Sequence, residues 1–234
     1  MSQTATFTDI IPGDSLFGKL RARASDAWES YVCHDFVKLL GAGTLPEAAF
    51  KHYLIQDYLF LIQFSRAYAL AVYKAEDLTA MRQFSGTVHA ILDMEMSLHL
   101  EFCKGWGLSE PDIIAEPEAR PCVTYTRYVL DRGVQGDVVD LQVALMPCMV
   151  GYAEIANRLM ASSDTRLDGN PYRAWIEMYA SAEFQDVAKA EIDLLEHTVA
   201  KRGGHDRIDG LVDTFAMASR LEADFWQMGL DLAK

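Results

Sequence analysis

Apolar side chains recur along this chain at steps of three and four residues, the spacing that lines one face of a helix. The clearest stretch runs from Pro46 to Lys74, where Phe50, Tyr53, Leu54, Leu61, Phe64 and Tyr68 keep the period and neither Gly nor Pro follows the first residue. Thr44 or Leu45 before a first-turn Pro46, with Glu47 next, supplies a start. Proline has no N–H to lose there, and a carboxylate favours the partial positive charge of a helix N-terminus. A second helix is expected over about Asp77 to Lys104, stopped by Gly105 and Gly107. Further long segments cover about Asp137 to Ala161, Pro171 to Arg202 with a break near Ala180, and Asp206 to Ala233. Shorter helices fit Ser15–Tyr31, His34–Leu40 and Cys122–Arg132, while Gly105–Pro121, with three prolines, reads as a long loop.

Strand signals are weak. Asp168-Gly169 and Asp209-Gly210 stand between helical stretches rather than between alternating β-branched runs. No repeat, low-complexity tract or linker divides the chain, so residues 1–234 are expected to form one all-α domain of roughly eight helices.

Half of the residues are apolar and 24% are charged, an ordinary globular balance that argues against disorder. The net charge of −13 opposes non-specific binding to a phosphate backbone, which wants a Lys/Arg footprint. No apolar run reads as a membrane span. The opening residues Met1 to Phe7 are neither basic nor apolar, so no secretory leader is expected. Four cysteines, at 33, 103, 122 and 148, are too few and too irregular for a disulfide framework. A reducing, cytoplasmic setting is the expectation.

Candidate chemistry gathers first between Ala144 and Glu154. A helix-interior proline removes a backbone donor and clashes with the preceding turn, at a cost of about 3 kcal/mol or more. Pro147 is therefore expected to kink its helix or begin a new one, freeing the carbonyl of Val143. The next residue, Cys148, would find its thiolate favoured by unsatisfied N–H groups, one physical route to a nucleophile. Tyr152 shares its face one turn on. The alternative is a small buried cysteine beside a packing kink. Two carboxylates are also set in apolar text: Asp57, whose neighbours apart from Gln56 are apolar, and Glu222, with Phe225 and Trp226 on its face. Such a carboxylate is either paired or has a raised pKa, and both occur at active sites. A hydrogen bond to a neighbouring helix for Asp57, and a surface mix with Arg220 for Glu222, are the plainer readings. Metal binding lacks support. The chain has no Glu-x-x-His, and Glu95 with His99 fits a helix-surface or network pair better than a ligand set.

Taken in order, Gly43-Thr-Leu-Pro, Phe50-x-x-Tyr-x-x-Gln-Asp57, Glu95-Met-x-x-His99, Pro147-Cys148-x-x-x-Tyr152-x-Glu154, Tyr172-x-x-Trp175-Ile-x-x-Tyr179 and Glu222-x-x-Phe-Trp226 resemble the thiaminase II (TenA) family, in its cysteine-bearing branch. The resemblance spans nearly the whole chain. It implies a heme-oxygenase-like helical bundle, assembled as a homotetramer. It also implies hydrolysis of the bond between an aminopyrimidine's methylene carbon and a nitrogen leaving group. Aminomethylpyrimidine is the implied substrate, thiamin is cleaved as well, and hydroxymethylpyrimidine is the product returned to thiamin synthesis. By motif position Cys148 corresponds to the nucleophile, Glu222 to the acid/base and Asp57 to the carboxylate that binds the pyrimidine edge. Tyr125, Tyr152 and Tyr179 match tyrosines that line the pocket. The family often carries a tyrosine where this chain has Phe60, so a ring wall is kept and a hydroxyl lost.

That chemistry suits these residue types. An aminopyrimidine becomes electrophilic when its ring nitrogen is protonated, and a glutamic acid among aromatic residues can share that proton. Cysteine addition then replaces one difficult displacement with easier steps. Asp57 can take two hydrogen bonds from the amino-pyrimidine edge, or one bond and a shared proton. No metal or organic cofactor is required. The competing readings are a metal-dependent oxidase on the same fold and a non-catalytic helical ligand-binding module.

Overall fold

The computed structural model describes residue 11 and residues 13–234; the Met1–Phe7 stretch lies outside the described residues. The α-helices are Leu16–Arg23 (α1), Ser25–Val32 (α2), Asp35–Gly41 (α3), Glu47–Lys74 (α4), Leu78–His89 (α5) and Met96–Gly105 (α6). They continue with Glu110–Ile114 (α7), Arg120–Gln135 (α8), Val138–Ala161 (α9), Arg173–Tyr179 (α10), Ala182–Arg202 (α11) and Ile208–Asp231 (α12). A π-helical turn, Ala90–Glu95, links α5 to α6, and a 3₁₀ turn, His205–Arg207, precedes α12. No strand occurs among the described residues.

Every periodic segment read from the sequence returns as helix, and the larger number of elements comes from subdivision and from one added helix, α7. Ala24, at φ −103° and ψ 26°, separates α1 from α2. Ser181 opens α11 by accepting from the Phe184 N–H, which sets the break near Ala180. Three expectations are corrected. Pro46 is the residue before the first turn of α4, not inside it. The stretch read as a loop holds α7, because the Asp112 carboxylate accepts from both the N–H and the hydroxyl of Ser109 and satisfies the helix start locally. Of the two outcomes expected at Pro147, a new helix start is ruled out: α9 runs through it. That helix is also long and apolar enough to cross a membrane, yet 94% of its apolar window is buried inside the fold.

The chain divides into two compact units, one of Met1–Leu45 with Val143–Ala223, the other of Pro46–Gln142 with Asp224–Lys234. In the first, Trp28 stacks on Phe215 at 5.3 Å, and Phe17 meets both rings edge-on. Beside them the buried Glu154 carboxylate takes hydrogen bonds from Arg21, Arg158 and the Trp28 indole. Asn170 closes the turn at Gly43, donating to the carbonyls of Leu40 and Gly41 and accepting from the Tyr172 N–H.

The second unit is built around α4, which packs against α5, α6, α7 and α8. Helix α4 is buried over most of its circumference, from Tyr53 through Leu61 to Tyr68. Gln56 anchors the connection from α7 to α8: its amide donates to the Pro117 carbonyl and its oxygen accepts from the Ala119 N–H, the residue that opens α8. The Tyr58 hydroxyl ties α4 to Glu110 of α7, and Lys74 donates to the carbonyl of Gly136, where α8 ends.

Candidate functional site

Asp57 sits midway along α4 and is 4% exposed. Tyr53, one turn earlier, donates to its Oδ2 at 3.0 Å. His99 of α6, fully buried, places Nε2 at 2.6 Å from the same oxygen, while its Nδ1 lies 2.9 Å from the Glu95 carbonyl. The Glu95–His99 pair is therefore a network pair, joined through backbone rather than through the Glu95 side chain. Burial opposes charge on the ring, but the hydrogen bond and negative charge of Asp57, helped by Glu95, outweigh it and raise the His99 pKa above its usual 6.5.

The π turn explains why this partner could not be read from the sequence. Buried positions in α5 and the turn fall at 80, 84, 87 and 91, and then resume at 96, 99 and 103. The step of five at Ile91–Met96 is one residue more than an α-helix would take. One extra residue rotates everything after it by roughly 100°. A continuous α-helix would have turned a different face inward.

Three residues further along α4, Phe60 is packed by Phe64 at 5.1 Å, Tyr125 of α8 at 5.0 Å and Phe225 at 5.6 Å. Tyr53 is covered by Trp226 at 5.0 Å. The sequence-predicted Phe60 and Tyr125 thus come together on the aromatic side of Asp57's helix. Tyr53 and His99 join the site without having been assigned to it.

The second group lies on α9 and α10. Cys148 is half-buried, whereas Cys103 and Cys122 are fully enclosed. Burial pushes the Cys103 thiol up to about 11 and the Cys122 thiol higher still. The surface left on Cys148 argues against the reading as a mere core residue. Its position inside an unbroken helix also removes the helix-N-terminus route to a thiolate, because interior N–H groups are already spent in the helix. Tyr152 packs against Tyr179 at 4.9 Å and Trp175 at 5.7 Å, and Phe184 closes on Tyr179 at 4.8 Å. Tyr31 supports the turn from behind, donating to the Pro147 carbonyl at 3.3 Å. It reaches that carbonyl because position 151 is glycine: a Cβ there would fall 2.2 Å from the Tyr31 ring. Glu222 is on α12 and 2% exposed. Among the described residues no group of three or more His, Cys, Asp or Glu could hold a metal ion.

A family model described as TENA/THI-4/PQQC matches residues 21–232. The chain belongs to this family. A relative from Haemophilus influenzae, named only as an uncharacterized protein, is 43% identical over 92% of this chain and 99% of its own length. An aminopyrimidine aminohydrolase from Halalkalibacterium halodurans is 35% identical over 92% of this chain and 95% of its own. Among solved structures, a TenA family transcription regulator from Silicibacter aligns with TM-score 0.88 and 43% identity, covering 94% of this chain and 98% of that one. A Shewanella denitrificans domain with a heme oxygenase-like fold aligns at TM-score 0.71 and 18% identity over 92% of each chain, which shows the fold. This TENA/THI-4/PQQC member is thus an all-helical protein of heme-oxygenase-like fold.

Proposed function

We propose that this chain is an aminopyrimidine aminohydrolase, a hydrolase of carbon–nitrogen bonds acting in thiamin salvage. The observation that carries the reading is the match, over nearly the full length of both chains, to a relative bearing that name. The preferred substrate is aminomethylpyrimidine, with thiamin cleaved as well; the formyl derivative is the remaining candidate. The setting is the cytoplasm, the assembly a homotetramer, and no cofactor is used.

Each residue has a role that its surroundings suit. Glu222, almost wholly buried, gives a proton to the ring nitrogen and makes the ring electrophilic. The Cys148 thiolate adds to the activated ring carbon. The electron pair moves through the ring and expels the amine from the exocyclic methylene, and the amine leaves with that pair and a proton. Water adds to the methylene carbon and gives up its proton, and the thiolate departs with its bonding pair to restore the aromatic ring. The net change is one amine exchanged for one hydroxyl. Asp57 holds the amino-pyrimidine edge, while Phe60, Tyr125, Tyr152 and Tyr179 supply ring faces and hydroxyls that orient substrate and exclude water. Incubating the purified chain separately with aminomethylpyrimidine and with thiamin tests the reading. Hydroxymethylpyrimidine should form from both, faster from aminomethylpyrimidine; its absence from both overturns the proposal.

A further inference from the structure

We propose that His99 is a positioning residue that fixes Asp57 as a one-sided hydrogen-bond acceptor, so that the site accepts a heteroaromatic ring through an N–H donor and rejects the same ring bearing an oxo group at that place. The inference rests on the pyrimidine reading above and adds a source for its specificity.

The hydrogen-bond logic is closed by the atoms present. A backbone carbonyl only accepts, so the contact with the Glu95 oxygen places a hydrogen on His99 Nδ1. The 2.6 Å approach of Nε2 to Asp57 Oδ2 then needs a second proton between them, since two lone pairs at that distance repel. The Tyr53 hydroxyl donates to Oδ2 as well. A carboxylate oxygen offers about two acceptor sites, so Oδ2 is filled. Oδ1 makes no hydrogen bond among the described residues. The charged groups that act on the ring are Asp57 from α4 and Glu95 from the π turn, both negative, and they hold the proton in the pair.

A ligand meets two constraints. A clamp using both oxygens of Asp57 is closed, because Oδ2 has no acceptor site left. Oδ1 carries lone pairs only, so it takes an amino N–H, alone or with a protonated ring nitrogen, and it meets an oxo group lone pair to lone pair. Sites built around one buried polar contact discriminate strongly for this reason. Without His99, Oδ2 loses its charge-assisted partner and the carboxyl group is free to turn, so the site no longer presents one fixed acceptor edge to the ring. Discrimination would then relax.

The test is the ratio of dissociation constants for hydroxymethylpyrimidine and its 4-oxo analogue, measured by calorimetry on the full chain. Wild type should favour the amino ring by about a hundredfold or more. His99→Leu should shrink that ratio at least about tenfold, whereas His99→Gln, whose amide can donate near the position of Nε2, should keep it within about threefold. An unchanged ratio in His99→Leu overturns the proposal, since a purely structural defect weakens both rings alike. Nitrogen-15 spectra of the imidazole in the wild-type chain and in Asp57→Asn give a readout independent of ligand and of the leucine variant's folding. Both ring nitrogens should be protonated at pH 7.5 in wild type and not in Asp57→Asn; a singly protonated wild-type ring overturns the proposal. A wild-type chain that binds neither ring contradicts the function proposed above and the ligand assigned here, while the spectra still decide whether His99 holds the proton.

Discussion

At Gly151 the missing side chain lets Tyr31 lie against the turn that carries Cys148. Replacing a helix-interior glycine by alanine ordinarily stabilises by up to about 1 kcal/mol. Here the new Cβ would sit 2.2 Å from a ring carbon of Tyr31 and 2.6 Å from its hydroxyl oxygen, so ring or helix must move. Overpacking of this kind costs about 1–3 kcal/mol and wins. Gly151→Ala should therefore lower the denaturant midpoint and slow turnover; a more stable variant would show that Tyr31 yields freely. His99 makes a second prediction at this scale. Its pKa is raised in the folded chain, so the folded state binds a proton that the unfolded chain has largely released above about pH 6.5. The stabilisation is full below that value and is lost as pH rises through the folded pKa. The stability difference between wild type and His99→Gln should accordingly be larger at pH 6 than at pH 9. A difference that grows with pH would reverse the assignment of charge.

Elements show what the sequence could and could not disclose. The long amphipathic segments were legible because burial on one helical face repeats at three and four residues, and Asp57, Phe60, Tyr125, Cys148 and Tyr152 all fall on helices placed from that pattern. The π turn was not legible: Ala90–Glu95 carries no Gly or Pro to mark it, and its effect is a shift of phase that only the buried face of α6 reveals. His99 went unassigned to Asp57 for that reason, since its partner is 42 residues away and lies on another helix. At Pro147 no new helix begins, because burial around α9 holds the helix together across a residue that would break an exposed one. Burial also decides the role of Glu154. Its carboxylate is 1% exposed, with Arg21 and Arg158 at 2.7 and 2.6 Å and the Trp28 indole at 3.1 Å, which couples α1, α2 and α9. Breaking a buried pair on one side costs about 3–5 kcal/mol, because the partner charge stays behind. The two arginines keep some solvent contact, which lowers that figure. Glu154→Gln should cost about 1–3 kcal/mol in chemical denaturation; a neutral outcome would mean that water replaces the carboxylate.

For the whole molecule, charge and chemistry point the same way. A net charge of −13 suits the substrate proposed above, whose amine is protonated at neutral pH. Membership of the TENA/THI-4/PQQC family covers both compact units, from residue 21 to residue 232. In the proposed mechanism Cys148, one of two half-buried thiols beside two enclosed ones, forms the covalent bond. The most direct measurement is steady-state turnover of aminomethylpyrimidine by wild type and by Cys148→Ser at matched helical signal. Serine should bind the pyrimidine about as tightly and turn it over several orders of magnitude more slowly, while Cys33→Ser stays near wild type. A Cys148→Ser enzyme that keeps about a tenth of wild-type turnover would contradict the covalent mechanism.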